Sequence, residues 1–215
     1  MNVYFISGMC VNCGVFDKIE LPENCTRSYI EWSIPKKEET IEEYAFQLSK
    51  KIDLNKPFVI VGYSLGGIIM QEMNKFIHPE KNILISSIKA EKERPLLFKI
   101  AKASHILKHI PQALYSVNKT LSNAFTRLIY DMTIEEIEEY VSYTSSIYMK
   151  WATCQITEWL PSQQCDNLYH IHGTKDQIFP YKHVSNAYTI KEGDHLMVMR
   201  KHEEVSKVIS EILLK

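Results

Sequence analysis

The sequence predicts an α/β chain, a three-layer sandwich in which a mostly parallel six-stranded sheet lies between helices and carries an inserted helical lid. Three observations support this. Short apolar runs alternate with amphipathic stretches of helical period along residues 1–88 and again along 166–215, the pattern of a parallel sheet covered on both faces. Between 89 and 165 that alternation stops, glycine is absent, and the pattern reads as helices. The 215 residues, 45% of them hydrophobic, can bury one full core.

Taken in order, Asn2–Ile6 is a short apolar strand ending at Ser7-Gly8, and Thr26–Trp32 is a second, stopped by Pro35. Residues Lys36–Asp53 place Ile41, Tyr44, Ala45, Leu48 and Ile52 on one helical face, with Thr40 or the acidic run near its start. Phe58–Val61 is the third strand, Ser64–His78 a helix closed by Pro79, and Asn82–Ser87 the fourth strand. Leu168–Ile171 and Ala187–Ile190 are the fifth and sixth, followed by an amphipathic helix over Glu203–Leu214. Within the insert, helices are expected at Leu96–Leu107, Ala113–Tyr130, Thr133–Tyr148 and Trp151–Leu160. About 75 residues is too long for a connection between two strands of one sheet. The insert is therefore expected to lie over the carboxyl ends of the strands, where α/β proteins place their ligands.

Gly62-Tyr63-Ser64-Leu65-Gly66-Gly67 is the most informative stretch. A serine lifted clear of a strand end needs a strained backbone, and the strand and helix around it then approach closely. Only small residues fit two positions to either side, here Gly62 and Gly66. Ser64 also stands at a helix N-terminus, whose free N–H groups favour developing negative charge. A serine held so is poised for nucleophilic attack, and it needs a base and an acid to orient that base. The C-terminal part supplies both beyond strand ends, in Asp176 of His172-Gly173-Thr174-Lys175-Asp176 and His195 of Gly193-Asp194-His195. Asp194 adjoins His195, but neighbouring side chains at a strand end point apart, which favours Asp176.

With these residues in the order Ser, Asp, His, the chain resembles the α/β-hydrolase superfamily, and within it the small lidded serine hydrolases. The resemblance runs through Ile6-Ser7-Gly8, the sharp turn or elbow at Ser64, His172-Gly173 with Asp176, and Gly193-Asp194-His195. It implies a core of residues 1–88 and 166–215, a lid of 89–165, and a Ser64–His195–Asp176 triad. It further implies an oxyanion hole made by the backbone N–H groups of Leu65 and Met9. The implied reaction is cleavage of a small-molecule carboxylic ester or thioester through a Ser64 acyl-enzyme, with no metal and no organic cofactor. Acyl transfer and C–C bond lyase or hydrolase chemistry on the same triad remain open, as does a non-catalytic binding protein on this fold. The chain departs from the family pattern at Ser7-Gly8, where members often carry His-Gly, and it begins directly at the first parallel strand.

Composition narrows the classes further. A net charge of −1 argues against nucleic-acid and membrane-surface binding. No apolar run is long enough to span a bilayer, and the first residues lack the basic and apolar regions of a signal peptide. Five cysteines at irregular spacing fit reduced thiols, so a cytoplasmic protein is expected. Cys10-Val11-Asn12-Cys13 has the spacing of a redox pair or half a zinc site, without the further paired ligands a metal needs. Sequence alone names no substrate-binding residue and no oligomeric state.

Overall fold

The computed structural model describes residues 1–115, 132–161 and 165–215. Six strands, β1 (Asn2–Ile6), β2 (Thr26–Tyr29), β3 (Phe58–Tyr63), β4 (Lys81–Ile85), β5 (Leu168–Gly173) and β6 (Tyr188–Ile190), form one sheet. All are parallel, in the order β2-β1-β3-β4-β5-β6. Alternation along the strands sorts side chains onto two cores. Tyr4, Ile6, Phe58, Ile60 and Leu84 face a cluster shared with α1 (Ile41–Ser49) and α2 (Leu65–Met73). Val3, Phe5, Val59, Val61, Ile83 and Ile85 face the opposite cluster, closed by Val205, Ile209 and Ile212. These last belong to the C-terminal helix, so helices cover both faces.

Register fixes where the loops meet. Ile6 pairs with Gly62, Tyr63 with Ile85, and Gly173 with Ile190. Neighbouring strands therefore end nearly level, and the loops that leave them share one edge. Helix α1 starts at Thr40, whose hydroxyl accepts from the Glu43 N–H while the Glu43 carboxylate accepts from the Thr40 N–H, a reciprocal cap. The second strand is shorter than its apolar run suggested, ending at Tyr29.

The insert holds α3 (Leu96–Ser104), α4 (Ile106–His109), α5 (Ile134–Tyr140) and α6 (Ser146–Glu158). Three expectations change here. The helix expected over 96–107 breaks at His105, which adopts a left-handed conformation (φ 51°). The one expected through Thr133–Tyr148 stops at Tyr140, and α6 then runs without interruption across Tyr148–Trp151, where a break was expected. Tertiary pairing overrides local helix propensity in the gap. Val141 bridges to Val11, and the N–H groups of Ser142 and Tyr143 both donate to the Cys10 carbonyl, at 3.0 and 3.2 Å. The Ser145 hydroxyl then caps a new helix by accepting from Tyr148 N–H at 3.3 Å. Of the helix expected over 113–130, a short turn at Gln112–Tyr115 is seen, and the rest lies outside the described residues.

Helix α6 is buried in the body. Tyr148, Met149, Trp151 and Ala152 join the core that holds Trp32 and Tyr44. The Trp151 indole donates to the Glu39 carbonyl, and that of Trp159 donates to the Glu72 carboxylate, both at 2.7 Å. The chain closes with α7 (Met197–Arg200) and α8 (His202–Leu214). Among the described residues no helix is long and apolar enough to cross a membrane.

Candidate active site

Ser64 sits between β3 and α2 with φ 52° and ψ −119°, a left-handed backbone that costs an L-residue on the order of 1–3 kcal/mol. Close packing on both sides imposes it. A Cβ on Gly66 would lie 2.3 Å from the Ile6 carbonyl oxygen and 2.4 Å from that of Ser7. The first turn of α2 therefore rests directly on the chain leaving β1. This contact brings the Ser7–Cys10 loop beside Ser64 and Leu65, the first residue of α2. The Trp32 indole braces that loop, donating to Ser7 Oγ at 2.9 Å and to the Gly8 carbonyl at 3.1 Å.

On the other side of Ser64, two further loops are locked together. A Cβ on Gly173 would meet the Gly193 carbonyl at 2.2 Å, and the Lys175 N–H donates to that same carbonyl at 2.8 Å. Asp176 and His195 are thus brought together from separate strand ends. His195 Nδ1 lies 2.9 Å from Asp176 Oδ2, and its Nε2 lies 3.0 Å from Ser64 Oγ. With the proton on Nδ1 donated to the carboxylate, Nε2 is free to accept from the serine hydroxyl. Asp176 Oδ1 accepts from the N–H groups of Ile178 and Phe179, both at 2.9 Å. Burial pushes the Asp176 carboxyl up, but the His195 and His172 rings and the Phe179 N–H outweigh it and leave its pKa below the ordinary value. All three side chains are buried. Asp194 turns away and pairs with Arg200.

No protein-family model matches the sequence, and no curated protein does either. Solved structures do match its shape. A hydrolase from Pseudomonas aeruginosa superposes with a TM-score of 0.70 at 12% identity, covering 99% of this chain and 89% of that one. A lipase-esterase related protein from Clostridium acetobutylicum gives 0.67 at 14% identity over 98% and 93%. A thermophilic esterase from Thermogutta terrifontis gives 0.66 at 17% identity over 99% and 89%. The chain has the α/β-hydrolase fold.

Several residues around these strand ends have partners that residue spacing does not reveal. Ser87 Oγ donates to the Ser64 carbonyl at 2.7 Å, pinning the strained residue from β4's end. His172 Nε2 donates to the Phe179 carbonyl at 2.7 Å and lies 3.5 Å from Asp176 Oδ2. Its Nδ1 then accepts from His170 Nε2 at 3.2 Å. Two neutral imidazoles therefore stand behind the carboxylate. Burial lowers the His170 pKa well below 6.5 and that of His172 below the same value. These partners are joined by the sheet and its loops, so residue spacing does not reveal their roles.

The cysteine pair is divided by the fold. Cys10 packs in one core against Met149, its sulfur 3.3 Å from the thioether, whereas Cys13 lies in the other core. Burial pushes both thiols up to about 12, which favours their protonated form. No cluster of three or more His, Cys, Asp or Glu side chains among the described residues could hold a metal ion.

Proposed function

We propose that this chain is a serine hydrolase that cleaves a carboxylic ester or thioester through a Ser64 acyl-enzyme. The observation that carries the reading is the continuous hydrogen-bonded chain from Ser64 Oγ through His195 to Asp176. A base within reach of a hydroxyl, itself oriented by a buried carboxylate, is the arrangement nucleophilic catalysis requires. As Ser64 Oγ attacks the substrate carbonyl, its proton passes to His195 Nε2. Asp176 remains ionised and stabilises the imidazolium while fixing its orientation. The oxyanion of the tetrahedral intermediate is held by the N–H groups of Leu65 and Met9, which belong to the two segments pressed together at Gly66. The imidazolium then gives its proton to the departing alcohol or thiol. Water, deprotonated by the same ring, attacks the acyl carbonyl; the bond to Ser64 Oγ breaks, the ring returns the proton to Ser64, and the acid leaves and ionises in solvent.

The insert at 89–165 acts as the lid. Two contacts support this reading. Its 139–143 segment is laced to the loop after β1, with Asn12 N–H donating to the Tyr140 carbonyl at 2.9 Å and the Cys10 carbonyl receiving two N–H groups. On the other side Phe98 of α3 packs edge-on against Phe179, whose ring in turn lies 5.7 Å from that of His195. The esterase and lipase names among the similar structures accord with an ester substrate.

Turnover of p-nitrophenyl butyrate tests the proposal. Ser64→Ala should abolish it while leaving the thermal midpoint unchanged or higher, because the elbow's strain serves chemistry and not folding. Residual activity within about tenfold of the parent would remove Ser64 from the nucleophile's role.

A further inference from the structure

The segment from Ser86 to Phe98 leads from the nucleophile to the wall beside the base, and it carries a buried guanidinium without a hydrogen-bond partner among the described residues. At its start Ser87 holds the Ser64 carbonyl, and at its end Phe98 contacts Phe179 beside His195. Between them the chain is fastened across the strand ends. Lys89 Nζ donates to the Ser185 carbonyl at 2.5 Å and to that of Asn186 at 3.1 Å. The Glu93 carboxylate accepts from Ser185 N–H at 3.2 Å through one oxygen and from Lys89 N–H at 2.9 Å through the other. Arg94 follows directly.

The Arg94 side chain belongs to a residue only 1% exposed, and Nε, Nη1 and Nη2 all lack a hydrogen-bond partner among the described residues. Both Glu93 oxygens are already committed. Glu91 is near enough to act on Arg94 through space but makes no hydrogen bond with it, and its carboxylate faces Lys102 at 3.9 Å. A guanidinium does not give up its proton to escape this situation. Its five donors form a rigid fork matched to the oxygens of a carboxylate or phosphate. Burying such a group unpaired is among the most unfavourable choices a fold can make.

We propose that Arg94 is an anion-binding residue of the substrate pocket, so that the ester or thioester cleaved at Ser64 carries a carboxylate or phosphate that docks on the Arg94 fork. This rests on the hydrolase reading above and adds a substrate class to it. The insert's first half, rich in lysine around Lys89, Lys92, Lys99 and Lys102, would draw such a substrate toward the site.

Two substrate pairs separate the possible sources of the anion. The first compares mono-p-nitrophenyl succinate with p-nitrophenyl butyrate, adding a carboxylate to the acyl chain. The second compares butyryl-coenzyme A with butyryl-N-acetylcysteamine, adding phosphates to the leaving group. The readout is the anionic-to-neutral ratio of kcat/KM in the parent, Arg94→Met and Arg94→Lys. In one of the two pairs the parent ratio should be about 10- to 100-fold, the worth of a charge-assisted fork. Arg94→Met should bring that ratio close to one, and Arg94→Lys should retain part of it. Parent ratios under about threefold in both pairs would overturn the proposal without recourse to any variant. A high ratio unchanged in Arg94→Met would overturn it equally. Loss of the hydrolase reading looks different, since no neutral ester would then turn over in a Ser64-dependent way. In that event the thermal midpoint of the parent and of Arg94→Met, with free succinate and with coenzyme A, decides the anion site. A rise with either compound in the parent alone supports it, and no rise or an equal rise overturns it.

Discussion

The loops at the carboxyl edge of the sheet and the insert at 89–165 are built by different rules. At the sheet edge, short local rules dominate. Glycines let backbone meet backbone at Gly66 against Ile6 and Ser7, and at Gly173 against Gly193. Side chains there are held by a few directed hydrogen bonds. In the insert, position is set by large aromatic side chains sunk into another element's core, as with Trp151 and Trp159. On the hydrolase reading proposed above, one region serves chemistry at the expense of local strain, and the other serves attachment. Substitutions in the first should therefore register mainly in rate, and those in the second mainly in stability.

The largest expected separation lies between two aspartates one loop apart. Asp176→Asn should preserve the fold and lower kcat by roughly 10⁴, because the amide leaves the imidazole in the wrong tautomer. Asp194→Asn removes a half-exposed pair with Arg200, worth about 0–1 kcal/mol, and should leave kcat within a few-fold. The reverse ranking in steady-state assays would transfer the acid's role to Asp194. Trp151→Ala probes the other region. It removes a buried indole and its bond to the Glu39 carbonyl, and urea unfolding should show a loss of about 3–5 kcal/mol. A loss under about 1 kcal/mol would mean that α6 is only loosely attached.

Gly66→Ala tests the boundary between the two rules. The added methyl meets two carbonyl oxygens at under 2.5 Å, so about 1–3 kcal/mol of stability should go. Activity should fall with it as the β1 loop is pushed from the elbow. Unchanged kcat in a destabilised Gly66→Ala would show that the loop's contact with α2 does not position the reaction.

The smallest effect concerns pH. His170 and His172 are held neutral below 6.5 by burial. As pH falls through about 6.5, the unfolded chain binds protons that the native state does not, so stability declines below that point. Asp176, held below its ordinary value of 3.8, adds its own loss only at lower pH. His170→Gln keeps a donor toward His172 while removing one titrating site. The fall in urea midpoint between pH 7.5 and 5.5 should therefore be shallower than in the parent. Equal slopes would mean that the buried His170 does not titrate on unfolding.

The same division explains what could be read from the sequence. All six strands and the elbow were legible, because apolar alternation and glycine spacing are local. Ser64, Asp176 and His195 could be singled out for the same reason, each standing just past a strand end. The supporting residues were not. Ser87, Trp32 and the His170–His172 pair act on partners reached only across the folded sheet or its loops. The insert misled in a physical way. Helical propensity ran on through Val141–Ser145, but pairing with Val11 and Cys10 pulled that stretch into extended backbone. Leu96, Leu97 and Ile100 of α3 are exposed, unlike the sunken aromatics of α6.

The claim that Ser64 is an activated nucleophile is tested most directly by labelling with a fluorophosphonate and mapping the modified peptide by mass spectrometry. The probe should modify Ser64 stoichiometrically in the parent and nothing in Asp176→Asn at the same short exposure, since only an oriented His195 activates the hydroxyl. An unlabelled parent, or a label on Ser86 or Ser87 instead, would contradict the account.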